Sequence, residues 1–388
     1  MDNNLTFHKT LNTELKPLTN DKSWDKVLEA YKIKDFKAVI IGIIDYVDLS
    51  LVEKYGNAEK TEFNIPHGSV ELKLTISDTH FTVKAPFLNI SESKKIPLLR
   101  KVTELNFSPL NLSSIILDGE ELAFEYKCLL NLCEPYKTYD ALKEICVYAD
   151  SYDDEFISKF DAKWIQEPSI SSFSQEVKNT AWDNMQLYIQ EANDAIQYFE
   201  TKRSLSFAWD VLAITLMKLE YYIKPQGLLR IEIEKTISYL LGNNDPMPTK
   251  VSRGKSFLDK LKTYDRASFE ADLYSVNTFI PYKVRSNNQA VKNNAENSFA
   301  QAKKEREQGN HLAATMTLVY QFFYLFYHNN VPSNISSLIE NGLSKASGKP
   351  WVEASNILFK TLERIMKDDV GSTSSPEKKK GFFSKLFG

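Results

Sequence analysis

Between Val70 and Ile76 the chain reads VELKLTI, and Val70, Leu72, Leu74 and Ile76 alternate with Glu71, Lys73 and Thr75. A period of two places the apolar set on one face of a half-buried strand, a pattern that no helix can satisfy. Beyond the Ser-rich stretch AKWIQEPSISSFSQEV (162–177) no such alternation recurs, and long apolar stripes at helical spacing replace it. The chain therefore divides into a sheet-bearing first part and a helical second part. At 388 residues it is also too long for one ordinary core.

The first part, residues 20–165, reads as one α+β domain expected to fold alone. DFKAVIIGIIDYVDLSLVEKYG (35–56) predicts a single long helix ending at Gly56. TEFNI is a short strand, and His67–Gly68 turns the chain into VELKLTI. HFTVKAPF follows, with Phe81, Val83 and Ala85 facing inward. IPLLRKVTELNF is a helix with Pro97 in its first turn. SSIILDGEELAFEYKC is a hairpin turned at Asp118–Gly119, beyond which Leu122, Phe124, Tyr126 and Cys128 share a face. KTYDALKEICVYADSYDDEFISKF closes the unit as one or two helices.

This order is helix, three strands, helix, two strands, helix. Together with SIILDGEELAFEYKCLLNL and the ending ICVYADSYDDEFISKF, it resembles the bacterial type III secretion chaperone-like fold, including the YbjN-like family. In that family an acidic segment opens the last helix, as Ala149–Asp150 and Asp153–Asp154 do here. The resemblance implies an antiparallel sheet with covering helices, dimerisation, and capture of extended partner segments. It implies no catalytic residue.

Residues 172–369 read as an all-α domain, a helical bundle or tetratricopeptide-like array. GNNDPMPTKVSRGKS (242–256), with two prolines and two glycines, is expected to interrupt it. Glu191, Ala195, Ala208 and Tyr222 recur 105 residues later as Glu296, Ala300, Ala313 and Tyr327, which suggests a duplication of 191–222 as 296–327. AKKEREQGNHLAATMTL resembles half of a tetratricopeptide repeat, with Gly309 in the turn. The longest apolar run, Leu312 to Tyr327, is 16 residues with Thr and Gln inside it, which is short for a membrane span.

Motifs that would announce an enzyme are missing: there is no phosphate-binding glycine loop, dinucleotide fingerprint, zinc-protease helix or nucleophile elbow. The five histidines are scattered, and His67 and His80 read as turn and strand-end residues. The three cysteines, Cys128, Cys133 and Cys146, fit a reducing cytoplasm and lack the partners of a zinc site. No metal, cofactor or catalytic residue is expected. A net charge of −3 argues against a general nucleic-acid binder. Residues 118–155 carry eleven acidic side chains against three lysines. A solvated face accounts for such a run. The functional alternative is an acidic docking face for a basic partner, built from Asp118, Glu120, Glu121, Asp150, Asp153 and Asp154.

The chain's most specific signal lies in residues 370–388. GSTSSPE leads into KKKGFFSKLFG, and Ser375, Pro376 and Glu377 form a helix-start pattern. On a helix, Phe382, Phe383, Leu386 and Phe387 share one narrow apolar face, flanked by Lys378, Lys379, Lys380 and Lys385. A short helix of this kind lies in a membrane interface. The segment resembles the C-terminal membrane-targeting helix of the Min-system cell-division ATPase, over about 11 residues. Docking into a protein groove and folding back onto the helical domain are the competing readings. The sequence thus points to a non-enzymatic cytoplasmic bacterial adaptor with an unidentified protein partner. Its tail would rest on the anionic inner face of the cytoplasmic membrane, and a homodimer is compatible with it. The runner-up is a secretion or assembly chaperone whose tail binds protein.

Overall fold

A computed structural model describes residues 5–11, 21–168, 170–242 and 244–370. The expected tail helix therefore lies outside the described residues. The first half holds helices α1 (Asp21–Lys32), α2 (Phe36–Val47), α3 (Leu51–Tyr55), α4 (Lys95–Phe107) and α5 (Pro135–Phe160). Its strands are β1 (Glu62–His67), β2 (Val70–Ile76), β3 (His80–Asn89), β4 (Ser114–Asp118), β5 (Glu121–Leu129) and β6 (Lys163–Trp164). The sheet runs β1-β2-β3-β5-β4, every pair antiparallel, and β6 joins the far end of β3 through Leu88 and Asn89. The alternation read from sequence is obeyed: Val70, Leu72, Leu74, Ile76, Phe81, Val83, Ala85, Leu122, Phe124 and Tyr126 are buried.

The predicted helix 35–56 is two helices. Asp48 is extended, and its carboxylate accepts from the N–H and hydroxyl of Ser50 (2.8 and 2.7 Å). Such a local side-chain turn competes with helix continuation. At the open edge of the sheet, Asn106 of α4 mimics a neighbouring strand. Its amide accepts from the N–H of Ile115 (2.7 Å) and donates to that residue's carbonyl (2.8 Å), which blunts β4 against strand addition.

The second half contains α6 (Gln175–Thr201), α7 (Leu205–Ile223), α8 (Gly227–Leu241), α9 (Met247–Lys262), α10 (Arg266–Ala271), α11 (Asn288–Glu307), α12 (His311–His328), α13 (Ser333–Ala346) and α14 (Trp351–Met366). It is not purely helical. β7 (Ile170–Ser172) pairs with β8 (Tyr274–Val276), and β9 (Val284–Arg285) pairs with β10 (Asn329–Asn330). The Ser-rich stretch 162–177 is thus held by β6 and β7. The expected break at 242–256 is mostly α9. Pro246 caps that helix and Pro248 sits in its first turn, where the missing N–H costs nothing. Gly254 permits close approach to α7, since a Cβ there would stand 2.9 Å from Leu212 Cδ1.

Hairpins α6–α7 and α11–α12 pack through α7 against α12, and Gly309 makes the second turn at φ +75°. Of the positions matched at a spacing of 105, Ala195 is buried whereas Ala300 and Glu296 are exposed. Small buried positions on α11 are instead Ala295 and Ala302.

Candidate functional site: the seam between the halves

The two halves have separate apolar cores, yet Phe279 and Ile280 of the second half belong to the core of the first. They are held by His67. The N–H of Phe279 donates to Nδ1 (3.0 Å), and Nε2, which must then carry the proton, lies 3.1 Å from the Cys146 carbonyl. The N–H of Gly68 donates to the Asn277 carbonyl (2.8 Å). His67 is therefore a buried clip at the end of β1. His80 stands at the opposite end of β2, where Ile76 meets Phe81, so the two histidines do not meet.

Beside the clip is a cleft of about 310 Å³, lined by α5, the N-terminus of α8 and β8. Arg230 crosses it. Its Nη1 donates to Asp150 Oδ2 (2.8 Å) and to Gln226 Oε1 (3.2 Å), and its Nε donates to Glu234 Oε1 (2.9 Å). Asp272 caps α8 by accepting from the N–H of Leu229 (2.9 Å), where the positive end of the helix favours an anion. Two glycines make room for these carboxylates. Gly68 (φ +53°) would place a Cβ 2.3 Å from Asp150 Oδ1, and Gly227 (φ +58°) would place one 2.4 Å from Asp272 Oδ1.

Asp150, Asp153, Asp154, Glu234 and Asp272 thus line the cleft with one guanidinium, and burial is the largest influence on the titration of Asp153, Asp154 and Asp272. Asp153 is pushed well above the ordinary carboxylate range by burial and by the neighbouring Asp154 and Asp150. Asp154 is raised by burial and by Asp150. Asp272 is pushed up to about 6 by burial, against the opposing Leu229 N–H. A carboxyl raised on folding stabilises the fold at low pH and loses that contribution as pH climbs through its folded value. For Asp272 the window runs from about 3.8 to about 6. His67 is lowered by burial, so its contribution is present above pH 6.5 and is lost as pH falls below that. The seam is squeezed from both sides. Asp153→Asn keeps an acceptor for the Asp154 N–H (2.7 Å) and removes the buried charge. It is expected to raise the urea midpoint at pH 8, with the gain vanishing toward pH 4. Midpoints of both chains across that range check this.

The six residues read as one acidic docking face are divided by the fold. Asp118, Glu120 and Glu121 are exposed at the β4–β5 turn, with Asp118 paired to Lys84 (3.0 Å). Asp150, Asp153 and Asp154 face α8 across the cleft, and Asp153 is buried. The acidic segment of α5 serves the seam because its countercharge, Arg230, lies 80 residues downstream. Sequence reading missed Arg230, Asp272 and the His67 clip, and nothing local marks them. Lys378, Lys379, Lys380, Phe382, Phe383, Lys385, Leu386 and Phe387 lie outside the described residues.

Among the described residues no group of three His, Cys, Asp or Glu side chains is arranged to hold a metal ion. Cys133 and Cys146 are buried and Cys128 is half-buried, all as free thiols. No helix of the described residues is long and apolar enough to cross a membrane. Comparison of the chain with family models and with curated proteins found no match.

Proposed function

We propose that the chain is a non-enzymatic adaptor that binds a protein partner and rests on an anionic membrane surface through residues 378–388. The observation that carries this reading is the tail sequence KKKGFFSKLFG, whose four apolar residues would share one face if it were helical, with four lysines beside them. The type III secretion chaperone-like, YbjN-like reading of residues 20–165 supports the partner-binding half of the proposal. The placement is the cytoplasmic side of the inner membrane.

The lysines separate lipid from a protein groove as the tail's target. Each basic residue near an anionic surface contributes about 1 kcal/mol, and salt screens that attraction. Replacing Lys378, Lys379 and Lys380 with Ser is expected to weaken binding to anionic vesicles at least tenfold and to leave binding to neutral vesicles unchanged. Flotation of the full chain with both vesicle types tests it. A full chain that floats with neither vesicle type would point to a protein groove.

A further inference from the structure

The three thiols differ in their surroundings. Cys146 is buried within α5, whereas Cys128 and Cys133 bracket the short turn that joins β5 to α5. That turn tightens over Leu130–Leu132, where the Cys133 N–H donates to the Leu130 carbonyl (3.2 Å). It brings Cys133 back beneath the end of β5: the Cys133 sulfur lies 3.7 Å from the carbonyl of Leu129, the residue next to Cys128. Cys128 packs against the same core that holds Cys133. The two sulfurs are neighbours. Burial, and after it Cys128, push the Cys133 thiol up to about 12. Cys128 itself is half-buried, so solvent reaches it. Lys137, in the first turn of α5, donates from Nζ to the Cys128 sulfur (3.5 Å). Beside the pair, the hydroxyl oxygens of Tyr126 and Thr138 are buried without a hydrogen-bond partner.

An accessible sulfur beside a cation, with a second sulfur behind it, is the arrangement an oxidant-sensing thiol needs. We propose that Cys128 and Cys133 form a redox pair, in which a peroxide oxidises Cys128 and Cys133 then closes a reversible disulfide with it. In the first step the Cys128 sulfur, as thiolate, attacks one peroxide oxygen. The S–O bond forms, the O–O bond breaks, the sulfur is oxidised to a sulfenic acid, and the departing hydroxide becomes water with the Cys128 proton. The Lys137 ammonium balances the charge on the attacking sulfur. In the second step the Cys133 sulfur attacks the sulfenic sulfur. The S–S bond forms, the S–O bond breaks, and hydroxide leaves with the Cys133 proton as a further molecule of water. The unpartnered hydroxyls of Tyr126 and Thr138 stand beside the sulfurs to donate to the departing oxygen. In a reducing compartment such a bond is transient and reports oxidant, where a permanent bridge would hold the fold. Its closure restrains the loop that carries Leu129 and Leu132, both exposed. The proposal is independent of the membrane reading.

The test is peptide mapping of the folded full chain after treatment with hydrogen peroxide, quenched by an alkylating agent in denaturant. Trypsin releases both cysteines in one peptide, Cys128–Lys137, and Cys146 in another. Oxidised wild type is expected to yield the first peptide unalkylated and two hydrogens lighter, with Cys146 still alkylated. Dithiothreitol should restore both thiols. Cys133→Ser is expected to hold Cys128 as a sulfenic acid that dimedone traps, because no second sulfur resolves it. Lys137→Gln should slow the loss of free thiols about threefold or more. A wild-type peptide that stays alkylated at both positions overturns the proposal. So does a bond that joins either residue to Cys146 or to a second chain. Should Cys133→Ser fail to fold, the wild-type map decides alone.

Discussion

Arg230→Ala lowers the stability of the full chain by about 3 kcal/mol, the lower end of the range for stranding one member of a buried ion pair. The lower end applies because the Arg230 and Asp150 side chains keep 24% and 20% of their exposure. The loss falls on the seam. Asp150 and Glu234 lose their shared donor, in a cleft also lined by Asp153, Asp154 and Asp272. Arg230→Lys restores the charge but not the fork that serves two carboxylates at once, so it recovers only part of the loss. The deficit of Arg230→Ala is pH-dependent in a definite sense. The lost pairing matters only while Asp150 and Glu234 carry charge, so the variant is most handicapped above pH 6 and draws closer to wild type as pH falls toward 4. Urea unfolding of the three chains at both pH values measures this. A deficit below about 1 kcal/mol at pH 8 would show that the seam does not depend on this pair.

The strands were legible because period-two alternation is a local property, and the 70–76 and 122–128 stretches keep it. The β4–β5 turn followed from Asp118–Gly119 in the same way, with Gly119 at φ +66°. The break at Asp48 and the continuity of α9 were misread for one reason. Both depend on where a residue sits within a helix turn, which composition does not specify: Pro248 breaks a helix interior but suits its start. The seam and the contacts of residues 5–11 were illegible because their pairs are remote in sequence. His67 meets Phe279, Asp150 meets Arg230, and Glu191 meets both Thr6 and Lys218. A run of carboxylates on α5 looks like a solvated or docking face until the residue that neutralises it is located. The acidic segment is thus a case where charge was read correctly and its partner could not be.

The largest functional effect is expected from Phe383→Asp/Leu386→Asp. Burying a Phe or Leu contributes about 1.5–3 kcal/mol when complete, and partial interfacial burial of four such residues only narrowly offsets the ordering of the segment. Two charges on that face should remove membrane binding altogether while the thermal melt of the folded halves stays unchanged. The direct measurement is co-sedimentation of the full chain and this variant with anionic vesicles at low salt. The account predicts that the full chain pellets with the vesicles, is released by added salt, and that the variant remains in the supernatant. A full chain that remains in the supernatant under those conditions would contradict the membrane reading.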